Sequence, residues 1–175
     1  MSDLQFIEKI IEEKSAMILD AHDKIWEYAE LAFHETKSAD LICEILEKEG
    51  FTLTKGDAGI PTCFTGTFSY GSGKPVMGIL GEYDALAALS QKPGQTTKEA
   101  VIPGAPGHGC GHNSLGTGSL AAAIAVKEYL TANKKDGTII YFGCPAEEGA
   151  GSKQFMARAG MFDDVDFVYT WHPST

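Results

Sequence analysis

The second half of the chain alternates strand-length apolar runs with helix-length segments, and that alternation limits the fold more than any other feature. "PVMGILGEY" from Pro75 and "GTIIYFGCP" from Gly137 read as strands, the second of them buried, and "DFVYTWHP" from Asp166 as one more. Between them, Asn113 or Ser114 caps a helix reaching about Thr131, and "GSKQFMARAG" is a helix closed by Gly160. Strands alternating with helices predict an α/β fold, a three-layer α/β/α sandwich around a mixed, mainly parallel sheet. In such sheets ligands bind beyond the carboxyl ends of the strands.

The first half supplies helices and further strands. Leu4, Ile7, Ile11, Met17, Ile18, Ala21, Ile25 and Tyr28 mark one face of a long helix or two joined ones, and Ser2 with Gln5 fits a capping box at its start. A second helix is predicted from about Lys37 to Glu49, with Leu41, Ile42, Ile45 and Leu46 inward and Gly50 as its stop. "FTLT" from Phe51 and "TCFTGTFSY" from Thr62 read as strands, and the turn "GSGK" predicts a hairpin between the latter and the strand from Pro75. Residues 85–107, rich in Pro, Gly, Gln and Thr, form a long loop of the kind that is functional or mobile.

Composition narrows the classes. A chain of 175 residues, 43% hydrophobic and 22% charged, suits one ordered domain rather than a disordered segment. Its net charge of −10 excludes the basic footprint that nucleic acid or an anionic membrane requires, and is compatible with bound divalent cations. Cys43, Cys63, Cys110 and Cys144 show no CxxC pairing, which points to a reduced compartment. The charged, amphipathic N-terminus is no secretory signal, and the longest apolar run, Leu120 to Val126, is too short for a bilayer. The expected location is the cytoplasm.

Four polar clusters lie at predicted strand ends or at a helix start. In "GHGCGH", Cys110 and His112 offer sulfur and imidazole to a soft or borderline metal, and the glycines at 109 and 111 let the backbone turn both toward one point. A helix start just beyond would favour the thiolate of Cys110. The plain alternative is a buried thiol beside hydrogen-bonded loop histidines. "PAEEGAG" places Glu147 and Glu148 after an apolar strand, where one carboxylate can hold a metal while its neighbour handles protons. A solvated pair at a helix start is the alternative. "WHP" sets His172 at a strand end, as a rim ligand or a structural histidine. "GEYDAL" offers Asp84 to orient a ligand histidine through its second nitrogen, while Glu82 is a ligand or a surface residue. His22 and His34 read as structural.

With these clusters in this order, "GEYDAL", "GHGCGHNSLGTGS", "GCPAEEGAGSK" and "WHPS", the stretch from Gly81 to Ser174 resembles the metal-dependent amidohydrolases of the aminoacylase and carboxypeptidase family. The resemblance implies Cys110, His112, Glu148 and His172 as ligands of two divalent ions, zinc or manganese, with Cys110 bridging. It also implies Glu147 as the general base and Asp84 as the supporting aspartate. The implied reaction hydrolyses the amide between an acyl or aroyl group and an amino acid such as glutamate, in a homo- or hetero-oligomer. Two positions depart from the usual pattern, Ala87 where the family has Pro and Asn113 where many members have Asp. Family members continue through a lid or dimerisation domain and a return segment with a last histidine ligand. Residues 1–175 are therefore expected to be the N-terminal part of a catalytic domain truncated at its C-terminus. Two other readings stand beside this one: a non-catalytic metal-binding or subunit-type module, and a thiol hydrolase with Cys110 as nucleophile and His172 or His108 as base, which leaves the glutamate pair without a task.

Overall fold

The computed structural model describes residues 2–174. Helix α1 spans Asp3–Tyr28 and begins with a full capping box: the Ser2 amide donates to Gln5 Oε1 at 2.9 Å and the Gln5 amide to Ser2 Oγ at 3.2 Å. Its inward stripe is firm only toward its C-terminal end, where Ala21 and Ile25 are fully buried; Leu4, expected inward, is 67% exposed. Helix α2, Thr36–Lys48, buries Ile42, Ile45 and Leu46 and stops at Gly50, whose φ of 87° places it in the left-handed region.

Five strands form one mixed sheet: β1 (Thr52–Lys55), β2 (Phe64–Tyr70), β3 (Val76–Glu82), β4 (Gly137–Cys144) and β5 (Phe167–Tyr169), in the order β1-β2-β4-β3-β5. β3 pairs parallel with β4 and β5, whereas β1–β2 and β2–β4 are antiparallel. The hairpin predicted from "GSGK" does not form. β4 occupies the slot between β2 and β3, antiparallel to one from Phe64↔Gly143 to Tyr70↔Gly137 and parallel to the other from Val76↔Thr138 to Glu82↔Cys144. The physical reason lies in β4 itself, which is apolar on both faces and buried along nearly its whole length. A central place gives such a strand two ladders and two covered faces.

Alternation along the strands divides the core into two layers. Ile79, Ile139 and Tyr141 face α1, α2 and helix α3 (His112–Asn133), while Leu80, Phe142 and Cys144 face the other side, covered by Met156 of helix α4 (Ser152–Arg158) and by Ile60 and Cys63. Helix α3 starts earlier than its sequence suggests. Its N-cap is Gly111, at φ 81°, with no side-chain cap, so Asn113 and Ser114 lie inside the helix and instead meet His22 at 2.9 and 3.1 Å. No helix among the described residues is long and apolar enough to cross a membrane.

Candidate metal centre

Parallel pairing of β3, β4 and β5 brings their carboxyl ends to one rim, and the first turn of α3 opens onto it. Asp84 follows β3, Glu147 and Glu148 follow β4, His172 follows β5, and Cys110 and His112 bracket the start of α3. Six residues far apart in sequence thus meet in one place.

His112 is the hub and is fully buried. Its Nδ1 lies 2.9 Å from Oδ1 of Asp84, itself buried, and the other Asp84 oxygen accepts the Glu148 amide at 2.9 Å. One carboxylate therefore orients both a ring and the turn that bears the glutamate pair. The remaining nitrogen, Nε2, faces three carboxylates: Glu82 at 3.0 Å, Glu147 at 3.7 Å and Glu148 at 3.9 Å. None of these is aligned as a hydrogen bond, and His112 Nε2 and Glu148 Oε1 are both buried without a hydrogen-bond partner. Burial opposes protonation of the imidazole, but Asp84 and Glu82 outweigh it and raise its pKa to about 10.

Sulfur and a second imidazole complete the donor set. Cys110 Sγ lies 3.3 Å from Nε2 of His172, whose ring stands edge-on to His112 with centroids 5.6 Å apart. Cys110, His112 and His172 each present a ligand atom within 4.8 Å of one another, and so do Glu82, His112 and Glu147. The thiolate expected at the helix start is not favoured in the protein alone: burial and then the Glu148, Glu147 and Glu82 carboxylates push the Cys110 pKa up to about 12. Burial and those carboxylates both disfavour the thiolate. Orphaned buried nitrogen and oxygen beside sulfur and a second imidazole are the donors a divalent ion of the first transition row takes.

Four residues outside the predicted ligands, base and supporting aspartate lie at or beside this cluster. Glu82 is buried and its second oxygen lies 2.5 Å from Lys153 Nζ. Burial works against its ionisation, but His112 and Lys153 outweigh it and hold the carboxyl below its ordinary value. Glu35, fully buried before α2, accepts the Ala146 amide at 2.8 Å. His22, read from sequence as structural, meets Asn113 and Ser114. Glu82, open in the sequence between a ligand and a surface residue, is buried beside His112, whereas nothing local marks Glu35 or Lys153. His108 turns away from the hub, with its Nε2 3.0 Å from the Ile25 carbonyl, and burial lowers its pKa to about 4. The loop 85–107 is closed by reciprocal backbone bonds between Leu86 and Gly107 and borders a cavity of about 590 Å³ against the end of α1. That cavity includes His108 and Gly109 but none of the clustered side chains.

The model of peptidase family M20/M25/M40 matches residues 78–175, the stretch that carries all six residues of the rim. The chain belongs to this family. It is 49% identical over 169 residues to a subunit of the p-aminobenzoyl-glutamate hydrolase of Escherichia coli K12, an alignment covering 97% of this chain and 35% of that protein. It is 30% identical over 160 residues to the mouse Xaa-Arg dipeptidase, covering 86% of this chain and 33% of that one. The chain thus spans about a third of the length of these curated relatives. In fold it is similar to an M20 peptidase of Bacillus subtilis described as dinuclear metal binding, with a TM-score of 0.71 at 22% identity over 99% of this chain and 44% of that one. The aminobenzoyl-glutamate utilization protein of Klebsiella pneumoniae gives a TM-score of 0.72 at 20% identity, covering 97% and 46%. The M20 fold is therefore shared along nearly all of this chain.

Proposed function

We propose that the protein is a metal-dependent hydrolase of the amide bond between an acyl or aroyl group and an amino acid, with residues 1–175 as the N-terminal part of its catalytic domain. The observation that carries this reading is His112. Its Nδ1 is committed to Asp84, which leaves a buried Nε2 without a hydrogen bond among sulfur, imidazole and carboxylate groups. In this reading Cys110, His112, Glu148 and His172 would hold two divalent ions, zinc or manganese. Such ions lower the proton affinity of a water molecule and draw charge from a carbonyl oxygen.

The chain's own groups do the rest. Asp84 holds a proton on His112 Nδ1, so that Nε2 is the nitrogen that would give up its proton and present a lone pair to a bound ion. Glu147, whose side chain is 40% exposed, reaches solvent and substrate, takes a proton from the attacking water and returns it to the leaving amine nitrogen. The substrate class is supported by the name of the 49% identical relative, a hydrolase of p-aminobenzoyl-glutamate, which also suits a subunit of a larger homo- or hetero-oligomer. A small-molecule substrate, rather than nucleic acid or membrane, agrees with the net charge of −10. A cytoplasmic location agrees with four free cysteines. The Cys110–His172 approach also suits a thiol hydrolase, but a thiol pushed up to about 12 is a poor nucleophile at neutral pH.

Metal analysis after zinc or manganese loading tests the site. Wild type is expected to retain the ion, and His112→Ala and Glu148→Ala to lose it. Unchanged occupancy in both variants would remove the centre from the reading.

A further inference from the structure

Glu35 is a buried carboxyl that the mechanism above leaves unused. It lies at the N-cap of α2 yet makes no capping bond to that helix. Among the described residues no cationic side chain forms an ion pair with it, although it is fully buried. Its oxygens go elsewhere: Oε1 accepts the Ala146 amide at 2.8 Å, and Oε2 accepts the Thr62 hydroxyl at 3.2 Å.

Ala146 is an unusual place for such a bond. It is fully buried and sits at φ 54°, in the left-handed region that residues with a β-carbon rarely adopt. A conformation of that kind persists only where the surroundings over-determine it. The next two residues are Glu147 and Glu148. The turn is fixed from three directions: Glu35 on the Ala146 amide, Asp84 on the Glu148 amide, and the Ala150 and Gly151 amides on the Ala146 carbonyl. Asp84 belongs to the rim itself, so Glu35 is the brace reaching the turn from the loop ahead of α2. That loop is itself anchored beside the rim, because the Ala85 amide donates to the Glu30 carbonyl at 2.8 Å. The Glu30 carboxylate in turn accepts the Lys37 and Ser38 amides at 3.0 and 2.9 Å, locking the loop to α2.

We propose that Glu35 is a positioning residue of the metal centre: by accepting the Ala146 amide it holds the left-handed turn that aims Glu147 and Glu148 at His112. The role requires an acceptor, not a charge. Burial, together with the Asp84 carboxylate nearby, raises the Glu35 pKa above its ordinary value, in keeping with a side chain whose neutral form is at home there.

The assignment of what the turn aims at rests on the hydrolase reading; the bracing itself does not, and the experiment separates the two. Glu35→Gln keeps an acceptor, whereas Glu35→Met fills similar volume and accepts nothing. In the metal-free full chain, hydrogen exchange across residues 145–149 is expected to accelerate in Glu35→Met and to stay near wild type in Glu35→Gln. Zinc affinity, measured by competition with a chromophoric chelator, is expected to fall about 10–100-fold in Glu35→Met and to recover in Glu35→Gln. The cobalt-loaded protein should show an altered visible spectrum in Glu35→Met only. Should Glu35→Met fail to fold, Glu35→Asp, which keeps the polarity but draws the acceptor back by one methylene, is held to the same expectations. Wild-type exchange, affinity and spectrum in the acceptor-less variant would overturn the proposal, and so would a Gln variant as impaired as the Met one. A wild-type chain that binds no ion would instead strike the hydrolase reading, with the exchange measurement still deciding the brace.

Discussion

Replacing Asp84 by Asn changes one oxygen to an amino group and nothing else in shape, yet it should disable the centre. Asp84 accepts from two donors on opposite oxygens, the His112 Nδ1–H and the Glu148 amide, each at 2.9 Å. Asparagine has one acceptor oxygen, so one of the two donors must face an NH₂ group. If the oxygen stays with Glu148, the amide pushes His112 toward the tautomer with its proton on Nε2, the nitrogen that faces the site. If the oxygen stays with His112, the Glu148 amide loses its partner and the glutamate turn is pushed outward. Either outcome loses one charge-assisted bond in a buried place, about 1.5–3 kcal/mol, or about 10–100-fold in ion affinity. Zinc titration by calorimetry or chelator competition reads this directly, and nitrogen NMR of the His112 ring reports which alternative the protein takes. An Asp84→Asn variant that binds zinc within about twofold of wild type, with the His112 tautomer unchanged, would refute the reasoning from shared acceptance at Asp84.

Protonated His112 is favoured in the folded, metal-free chain, with its pKa raised from 6.5 to about 10. Its contribution to stability is therefore fully present below 6.5 and lost as pH rises to about 10, so the urea midpoint of metal-free protein should fall across that window and flatten in His112→Gln. A flat wild-type profile would count against the Asp84–His112–Glu82 arrangement. Glu147→Gln is expected to retain bound metal while hydrolysis by the complete enzyme falls below detection; normal turnover would rule out Glu147 as the base. Gly81→Ala would drive a methyl carbon into the Tyr141 hydroxyl, displacing a buried ring bonded to the Gly116 carbonyl. The expected loss is about 2–4 kcal/mol by chemical denaturation, partly relieved by Tyr141→Phe, and a variant as stable as wild type would contradict the packing described.

Local signals in the sequence were reliable where the structure is local. Ser2 and Gln5 mark the start of α1, Gly50 marks the end of α2, and the apolar run from Gly137 is the buried β4. The rim cluster was legible because each member follows a strand or opens a helix, and parallel pairing gathers such positions. What escaped depends on partners distant in sequence. Asn113 and Ser114 resemble caps by residue type, yet Gly111 caps α3 because its left-handed backbone turns Cys110 and His112 inward. Glu35 looks like an ordinary helix-start acid until Ala146, 111 residues later, is seen to donate to it. The hairpin failed as an expectation because a short turn constrains only its two flanks and says nothing of a third segment that can separate them.

That separation has a consequence for how the protein is made. β2 and β3 emerge from the ribosome together and must stand apart, each with bare backbone groups, until β4 has been synthesised and slides between them. Ladders spanning that much sequence close slowly, and unpaired strand flanks invite association with other chains meanwhile. Asp84 and Glu148 cannot meet before that closure either, so the centre and the sheet come into being in the same event. A ribosome stalled between residues 83 and 136 would leave only an unclosed sheet.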